Sequence, residues 1–277
     1  MKINLSIIIP VYNAKETLAR SLESINNQIM TLKNLKVEII IVVDDGKNYK
    51  NIIPTMKKNF FIKIVKTNGN KTGPGNARNF GIKEAKGQFI GYLDADDEWS
   101  ENYLKNMYKI VKKFGLALSE TRVYDGKKLI DQFKGNNKNY LSLKDIGEIP
   151  CSFHPFVKKK NQIKFENLSS QDVYNTAYLL NKKNKKLQIT KDAYYKMNLQ
   201  TKSVTTEEGF SHKVNLAYKK YQIKSLKLRN IKIARVFAVR RIINKKFLEW
   251  NKNNNKSFYK FLRWRNKNNE REKSVHF

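Results

Sequence analysis

The apolar positions of the chain fall into short dense runs before they fall into any other order. Leu5–Val11 and Val37–Val43 are almost continuously hydrophobic, and residues 62–66 repeat the pattern more weakly. Runs of this kind fit central strands of a parallel sheet covered on both faces. Between the first two, Leu18, Leu22 and Ile25 recur at helical spacing, and Asn13 with Glu16 three residues on predicts a capping box. From Asn76 the period is helical again, with Ala77, Gly81 and Ala85 giving a small-residue face that lets a helix lie close to a sheet. Gly87 after Lys86 predicts a left-handed helix end, and residues 88–93 predict one more buried strand. This βαβα rhythm predicts an α/β fold with a doubly wound, mostly parallel sheet flanked by helices.

Further along, residues 101–114 predict a helix with Tyr103, Met107, Ile110 and Val111 on one side. Asp125-Gly126 predicts the turn of a hairpin between residues 116–124 and 129–133, a mixed extension of the sheet. Ser169-Ser170-Gln171-Asp172 opens another helix, where a first-turn carboxylate is favoured and Asp172 could serve as a cap. From about Leu226 the pattern changes to a helical stripe of Ile231, Ala234, Phe237 or Ala238, and Ile242 amid Lys and Arg. Aromatics then alternate with basic residues through Phe247, Trp250, Phe258, Phe261 and Trp264. The expected division is a domain over residues 1–225, with halves 1–115 and 116–225, followed by a basic helical tail over 226–277.

Composition narrows the classes. The 277 residues carry 56 Lys and Arg against 24 Asp and Glu, a formal net charge of +32. Such a balance attracts polyanions, whether nucleic acid, anionic lipid or phosphorylated glycans. Lysine dominates over arginine, which also fits compositional drift and gives little support to nucleic-acid reading by arginine forks. The tail's mixture fits an interfacial segment on anionic lipid, with Phe258, Phe261 and Trp264 inserting shallowly, equally with a helix packed on the domain. No run reaches the roughly 18 apolar residues of a membrane span, and the run over Leu5–Val11 is too short for a secretory leader. The lone Cys151 excludes an internal disulfide, so a cytoplasmic protein is expected.

The chemistry concentrates between Asn68 and Trp99. Thr72-Gly73-Pro74-Gly75 is a tight loop, and Asp94-Ala95-Asp96-Asp97 places three carboxylates at the carboxyl end of the strand over 88–93. Ligands of open α/β sheets bind outside the carboxyl ends of strands. Crowded carboxylates there suit a hard divalent cation, Mn2+ or Mg2+, that also binds a diphosphate. The alternative is a solvated acidic turn. Gly69 to Gly73 lacks the spacing of a phosphate loop, and no G-x-G-x-x-G follows the first strand.

Gly73-Pro74-Gly75, Ala77-Arg78-Asn79, Gly81-Ile82, Ala85-Lys86-Gly87 and Leu93-Asp94-Ala95-Asp96-Asp97 together resemble the signature of inverting glycosyltransferase family 2, enzymes of the GT-A fold. The resemblance implies metal binding by Asp94 and Asp96. Ile9-Pro10-Val11-Tyr12-Asn13 and Val43-Asp44-Asp45-Gly46 are similar to the family's first strand ends, which implies donor contacts from Pro10, Tyr12, Asp44, Asp45, Arg78 and Asp94. Phe165-Glu166 followed by Gln171-Asp172 resembles the segment holding the general base, which points to Asp172, with Gln171 in place of the usual first acid. His154, Tyr195, Ser203 and His212 are further candidates for acceptor or phosphate contacts.

The resemblance therefore implies a metal-dependent inverting transferase in cell-envelope glycan or glycolipid synthesis. Its donor would be a nucleotide-diphosphate sugar and its acceptor a glycan or lipid-linked hydroxyl. Peripheral contact with the inner face of the plasma membrane is expected through the tail, and nucleic acid is a weak alternative. The rival readings are a sugar-phosphate nucleotidyltransferase and a non-catalytic basic scaffold for lipid or RNA.

Overall fold

A computed structural model describes residues 2–29, 35–134, 140–149, 151–183, 187–200, 209–252 and 258–265. The chain divides into two compact units, Met1–Thr201 and Lys202–Phe277.

The first unit is built from β1 (Leu5–Val11), α1 (Leu18–Asn26), β2 (Val37–Val43), β3 (Phe60–Lys66), α2 (Pro74–Glu84), β4 (Phe89–Tyr92), β5 (Glu98–Trp99), α3 (Tyr103–Phe114), β6 (Leu116–Asp125), β7 (Lys128–Phe133), β8 (Tyr140–Leu141), α4 (Leu143–Glu148), β9 (Phe156–Lys158), α5 (Gln171–Lys183) and β10 (Leu187–Asn198). The strands form one sheet in the order β3-β2-β1-β4-β9-β6-β10-β5, with β7 beside β6 and β8 beside β10. β3, β2, β1 and β4 run parallel, while β9 pairs antiparallel with both β4 and β6. The chain steps outward from β1 to β3 and returns to the other side of β1 at β4. That reversal is the switch point at which doubly wound sheets bind ligands.

The apolar runs are buried as their pattern predicts. Every residue of β2 is buried, and Leu18, Leu22 and Ile25 of α1 are fully covered. In α3, Tyr103, Met107 and Val111 are buried and Ile110 packs partly against the same core. β6 and β7 pair antiparallel around Gly126, whose φ of 56° is the left-handed value such a turn requires. Gly81 lets α2 lie on β1 and β2, since a Cβ there would fall 2.5 Å from Ile8 Cγ2.

Two local expectations are corrected. Asn13 does not cap α1, which starts at Leu18 after Thr17 with no side-chain cap bond. Asn13 instead adopts φ 51°, and its N–H donates to Asp45 Oδ2 at 2.7 Å. The second strand's carboxylate captures this residue before the helix can. Gly87 is not a left-handed helix end, because α2 stops at Glu84 and Gly87 is absent from the left-handed residues of the described chain. The buried Glu38 carboxylate accepts the N–H groups of Lys86 and Gly87 and the Ser6 hydroxyl. It draws the chain onto β1, where a Cβ at Gly87 would lie 2.6 Å from the Ser6 nitrogen.

The second unit contains α6 (Phe210–Lys227) and α7 (Ile231–Asn251). The apolar stripe expected on α7 holds at Ala234 and Phe237 and fails at its two ends. Ile233, Phe237, Arg240, Asn244 and Phe247 are buried, while Ile231 and Ile242 are exposed. Phe237 meets the rings of Tyr218 and Tyr221, and Arg240 Nη1 donates to the Tyr218 hydroxyl at 3.1 Å. The two tyrosines on α6 select the face of α7 that carries Phe237 and a polar partner for the hydroxyl. The aromatics of the tail pack on one another, with Phe261 against Phe247 and Trp250 and only 1% exposed. Among the described residues no helix is long and apolar enough to cross a membrane.

Candidate active site

The rim of the site is formed where β1, β2 and the glycine loop end together. Asp44, buried at the end of β2, accepts the Thr67 and Thr72 hydroxyls on Oδ1, both at 2.7 Å, and the Gly73 N–H on Oδ2 at 2.9 Å. It fastens the loop that opens α2. Gly73 takes φ 98°, and a Cβ on Gly75 would fall 2.3 Å from the Glu166 carbonyl oxygen. Both glycines are therefore required by backbone geometry. Asp45 is half-buried beside it and accepts the Tyr49 hydroxyl at 2.7 Å as well as Asn13 N–H. Burial works to raise its pKa, but Tyr49 and the backbone donors outweigh burial and lower it. Tyr12 is 49% exposed at the end of β1, with Lys71 Nζ 6.0 Å from its ring centre. Pro10 lies one turn of the pleat back, paired in register with Val42.

The acidic turn after β4 is held from below. Asp94 Oδ1 pairs with the buried Arg78 guanidinium, and Oδ2 meets His154 Nε2 at 3.1 Å. The Asp94 N–H donates to the Tyr195 hydroxyl at 3.0 Å, and that hydroxyl donates in turn to the Asp97 carboxylate. Asp97 also accepts the Asn198 N–H at 2.9 Å. The Tyr195 ring stacks on the His154 imidazole with centres 3.9 Å apart and planes within 3°. Asp94, Asp97 and His154 thus offer ligand atoms that all lie within 4.8 Å of one another. His154 Nδ1 is buried without a hydrogen-bond partner. Asp96 stays partly exposed beside this group, its carbonyl oxygen accepting Arg20 Nη2 and Asn198 Nδ2.

The electrostatics separate the three acids. Burial works to raise Asp94, yet Arg78 and then His154 outweigh it and hold the carboxyl well below the usual range. Burial and the Asp94 charge push Asp96 up to about 6. Burial, with Asp96 and Asp94 nearby, raises Asp97 well above the carboxylate range. Three acids this close, two of them resisting ionisation, form a site that gains from a cation.

Asp172 stands in the first turn of α5, buried, with Oδ2 accepting the Phe153 N–H at 3.0 Å. Phe153 and His154 are adjacent, so one loop ties Asp172 and Asp94 together. Arg78 feels both acids, Asp94 more strongly. Gln171 is buried against Gly75, and its Oε1 has no hydrogen-bond partner. Of the other candidates, His212 is exposed in the second unit, and Ser203 lies outside the described residues. Sequence reasoning counted Asp97 among the crowded carboxylates without singling it out, left out Asn198, and took His154 and Tyr195 as candidates for acceptor or phosphate contacts. An acidic triplet gives no sign of which member turns inward. The burial alternation from Asp94 to Trp99 emerges only when β10 covers the turn.

Residues 6–185 match the model of Glycosyl transferase family 2, about two thirds of the chain. The chain belongs to this family. Its fold is the GT-A architecture. The minor teichoic acid biosynthesis protein GgaA of Bacillus subtilis is 38% identical over 114 residues, 37% of this chain and 24% of GgaA. The poly(ribitol-phosphate) beta-N-acetylglucosaminyltransferase TarP of Staphylococcus aureus is 28% identical over 217 residues, 70% of this chain and 62% of TarP. The chain thus spans between about a quarter and three fifths of these two relatives. Among solved structures, S. aureus TarS superposes with a TM-score of 0.62 at 21% identity, covering 85% of this chain and 71% of that one. TarS has also been solved with UDP-GlcNAc. The mannosyltransferase PcManGT of Pyrobaculum calidifontis, in complex with GDP-Man and Mn2+, gives 0.58 at 11% identity and covers 95% of this chain and 79% of that one. At these identities the two structures speak for the fold.

Proposed function

We propose that this glycosyltransferase moves a sugar from a nucleotide-diphosphate donor to an acceptor hydroxyl on a cell-envelope glycan, inverting the anomeric centre with a divalent ion bound. The observation that carries the reading is the Asp94–Asp97–His154 cluster at the carboxyl end of β4, beside the sheet's switch point. Its donor set fits the ion: hard carboxylate oxygens, an imidazole and a partly exposed Asp96 within one turn. Asp94 and Asp96 would hold Mn2+ or Mg2+, with Asp97 and His154 behind them. When bound, the ion neutralises charge on the departing diphosphate. Arg78 fixes the orientation of Asp94 from inside rather than meeting the donor. Tyr12 and Asp45 offer the base an exposed ring and a carboxylate at the strand ends, and Asp44 keeps the glycine loop in place for the phosphates.

Asp172 accepts the proton of the attacking hydroxyl at the carboxylate oxygen that Phe153 does not engage. Its hydrogen bond across to the loop of His154 favours the general base over a helix cap. Attack from the face opposite the leaving group needs no covalent nucleophile. The names of GgaA and TarP support an anionic, phosphate-bearing acceptor of the teichoic-acid kind. The net charge of +32 suits such a polymer.

Incubating the protein with UDP- and GDP-sugars, Mn2+ and a polyol-phosphate acceptor tests the reading. Release of nucleoside diphosphate that requires both donor and metal is expected. No release from any donor, together with no thermal shift on adding UDP or GDP with Mn2+, would refute it.

A further inference from the structure

We infer that the turn joining α6 to α7 is a docking tip for an anionic lipid surface. Leu226, Leu228 and Ile231 are 51%, 57% and 59% exposed, three large aliphatic side chains within six residues. The turn that presents them is tightly closed. Leu228 N–H donates to Lys224 O at 3.0 Å, Arg229 N–H to Leu226 O at 2.9 Å and Asn230 N–H to Ser225 O at 2.7 Å, with Arg229 at φ 55°. The aliphatic exposure therefore belongs to an ordered tip. Along α6 the same character continues through Ile223 and Leu216, three and ten residues before Leu226 and themselves seven apart, both exposed. Single exposed aliphatics are ordinary, but a cluster at one end of a helix pair marks a binding surface.

The charge around the tip chooses the occupant. Lys219, Lys220, Lys227, Arg229 and Lys232 are exposed on or beside it. Between Phe210 and Asn251 the sequence contains one acid, Glu249, near the far end of α7. Aliphatic side chains ringed by cations match the interface of an anionic bilayer, where the apolar groups enter the acyl boundary and the cations meet the headgroups. A single-stranded nucleic acid is bound through exposed rings on which its bases stack. Of the rings on this helix pair, Tyr218, Tyr221, Phe237 and Phe247 are buried, and the half-buried Phe210 and Trp250 sit at the helix ends away from the turn. The aromatic tail is a weaker candidate, because Phe261 is packed among Phe247, Trp250 and Trp264.

Co-sedimentation of the full chain with phosphatidylcholine vesicles, with and without phosphatidylglycerol, tests the inference. The parent should bind only the anionic vesicles and be released as salt rises. Replacing Leu226, Leu228 and Ile231 together by Gln keeps every charge and should weaken that binding by about tenfold or more. Because all three are exposed, the variant should keep the parent's thermal midpoint. In parallel, a polarity-sensitive dye on Leu228→Cys should shift to the blue on adding anionic vesicles, with the buried Cys151 left unlabelled. Parent-like binding by the triple variant, a dye that stays in water, or a triple variant that loses single-stranded RNA binding to the same degree would overturn the inference. Nucleoside diphosphate release is measured without vesicles, so the two readings fail separately.

Discussion

Replacing Tyr195 by Phe removes one oxygen atom and leaves the ring. The hydroxyl accepts the Asp94 N–H and donates to Asp97, so its loss leaves a buried amide and a buried carboxylate each short of a partner. A hydrogen bond to a neutral group contributes about 0.5–1.5 kcal/mol net, and an orphaned buried donor costs about 1–3 kcal/mol. Relaxation of the turn recovers part of this, so a loss of about 3 kcal/mol is expected. For a unit of this size that corresponds to a fall in Tm of about 6–12 °C. The stack on His154 survives, because the Phe ring keeps the 3.9 Å contact. Tyr195→Leu loses both and should fall further. Differential scanning calorimetry reads the stability, and Mn2+ titration in the presence of UDP reads the site. The conservative variant should bind Mn2+ more weakly than the parent and better than the leucine variant. A Tyr195→Phe protein with unchanged Tm and unchanged Mn2+ affinity would refute the bracing role.

Asp172→Asn should leave donor affinity near that of the parent while transfer falls by about 10²- to 10⁴-fold, the range for a lost general base; ordinary turnover would remove the role. The metal-free protein should be more stable at pH 5 than at pH 7.5. Asp96, raised to about 6, and Asp97, raised further, favour the folded state while protonated and lose that contribution as pH rises. Asp94, held low, stays ionised across this window. Saturating Mn2+ should erase the difference, and Asp96→Asn should reduce it, both readable from Tm against pH. Gly75→Ala places a methyl 2.3 Å from the Glu166 carbonyl oxygen, so it should destabilise by about 1–3 kcal/mol and weaken nucleotide binding. A variant with the parent's midpoint in urea would contradict the close approach.

Much of the donor half was legible in the sequence because its residues obey local rules. β1 and β2 are runs buried on both faces, and the small face of α2 with Gly81 needs no distant partner to be read. Asp94 to Asp97 stood out by charge density alone. What lay beyond reading was set by contacts across long separations. Tyr195 is 101 residues from Asp94, and His154 is 60. Nothing within five residues of either announces the pairing. Asn13 went to Asp45 instead of the helix because two strand ends meet in register, and Glu38 reshaped Gly87 from a strand away. On α7 the stripe held at Ala234 and Phe237 while Ile231 and Ile242 fell on the exposed side. Its true face is chosen by Tyr218 and Tyr221 on α6, and a hydrophobic pattern with apolar residues on several sides leaves that rotation open.

The central claim is that the acids after β4 and His154 hold the ion on which the donor's diphosphate rests. Anomalous diffraction at the manganese edge, from crystals soaked with Mn2+ and UDP, tests it directly. The account predicts one strong peak about 2.0–2.6 Å from an Asp94 or Asp96 oxygen, with His154 and Asp97 in the same cluster and the diphosphate on the solvent side. No peak there, or a peak held only by residues outside Asp94, Asp96, Asp97 and His154, would contradict it.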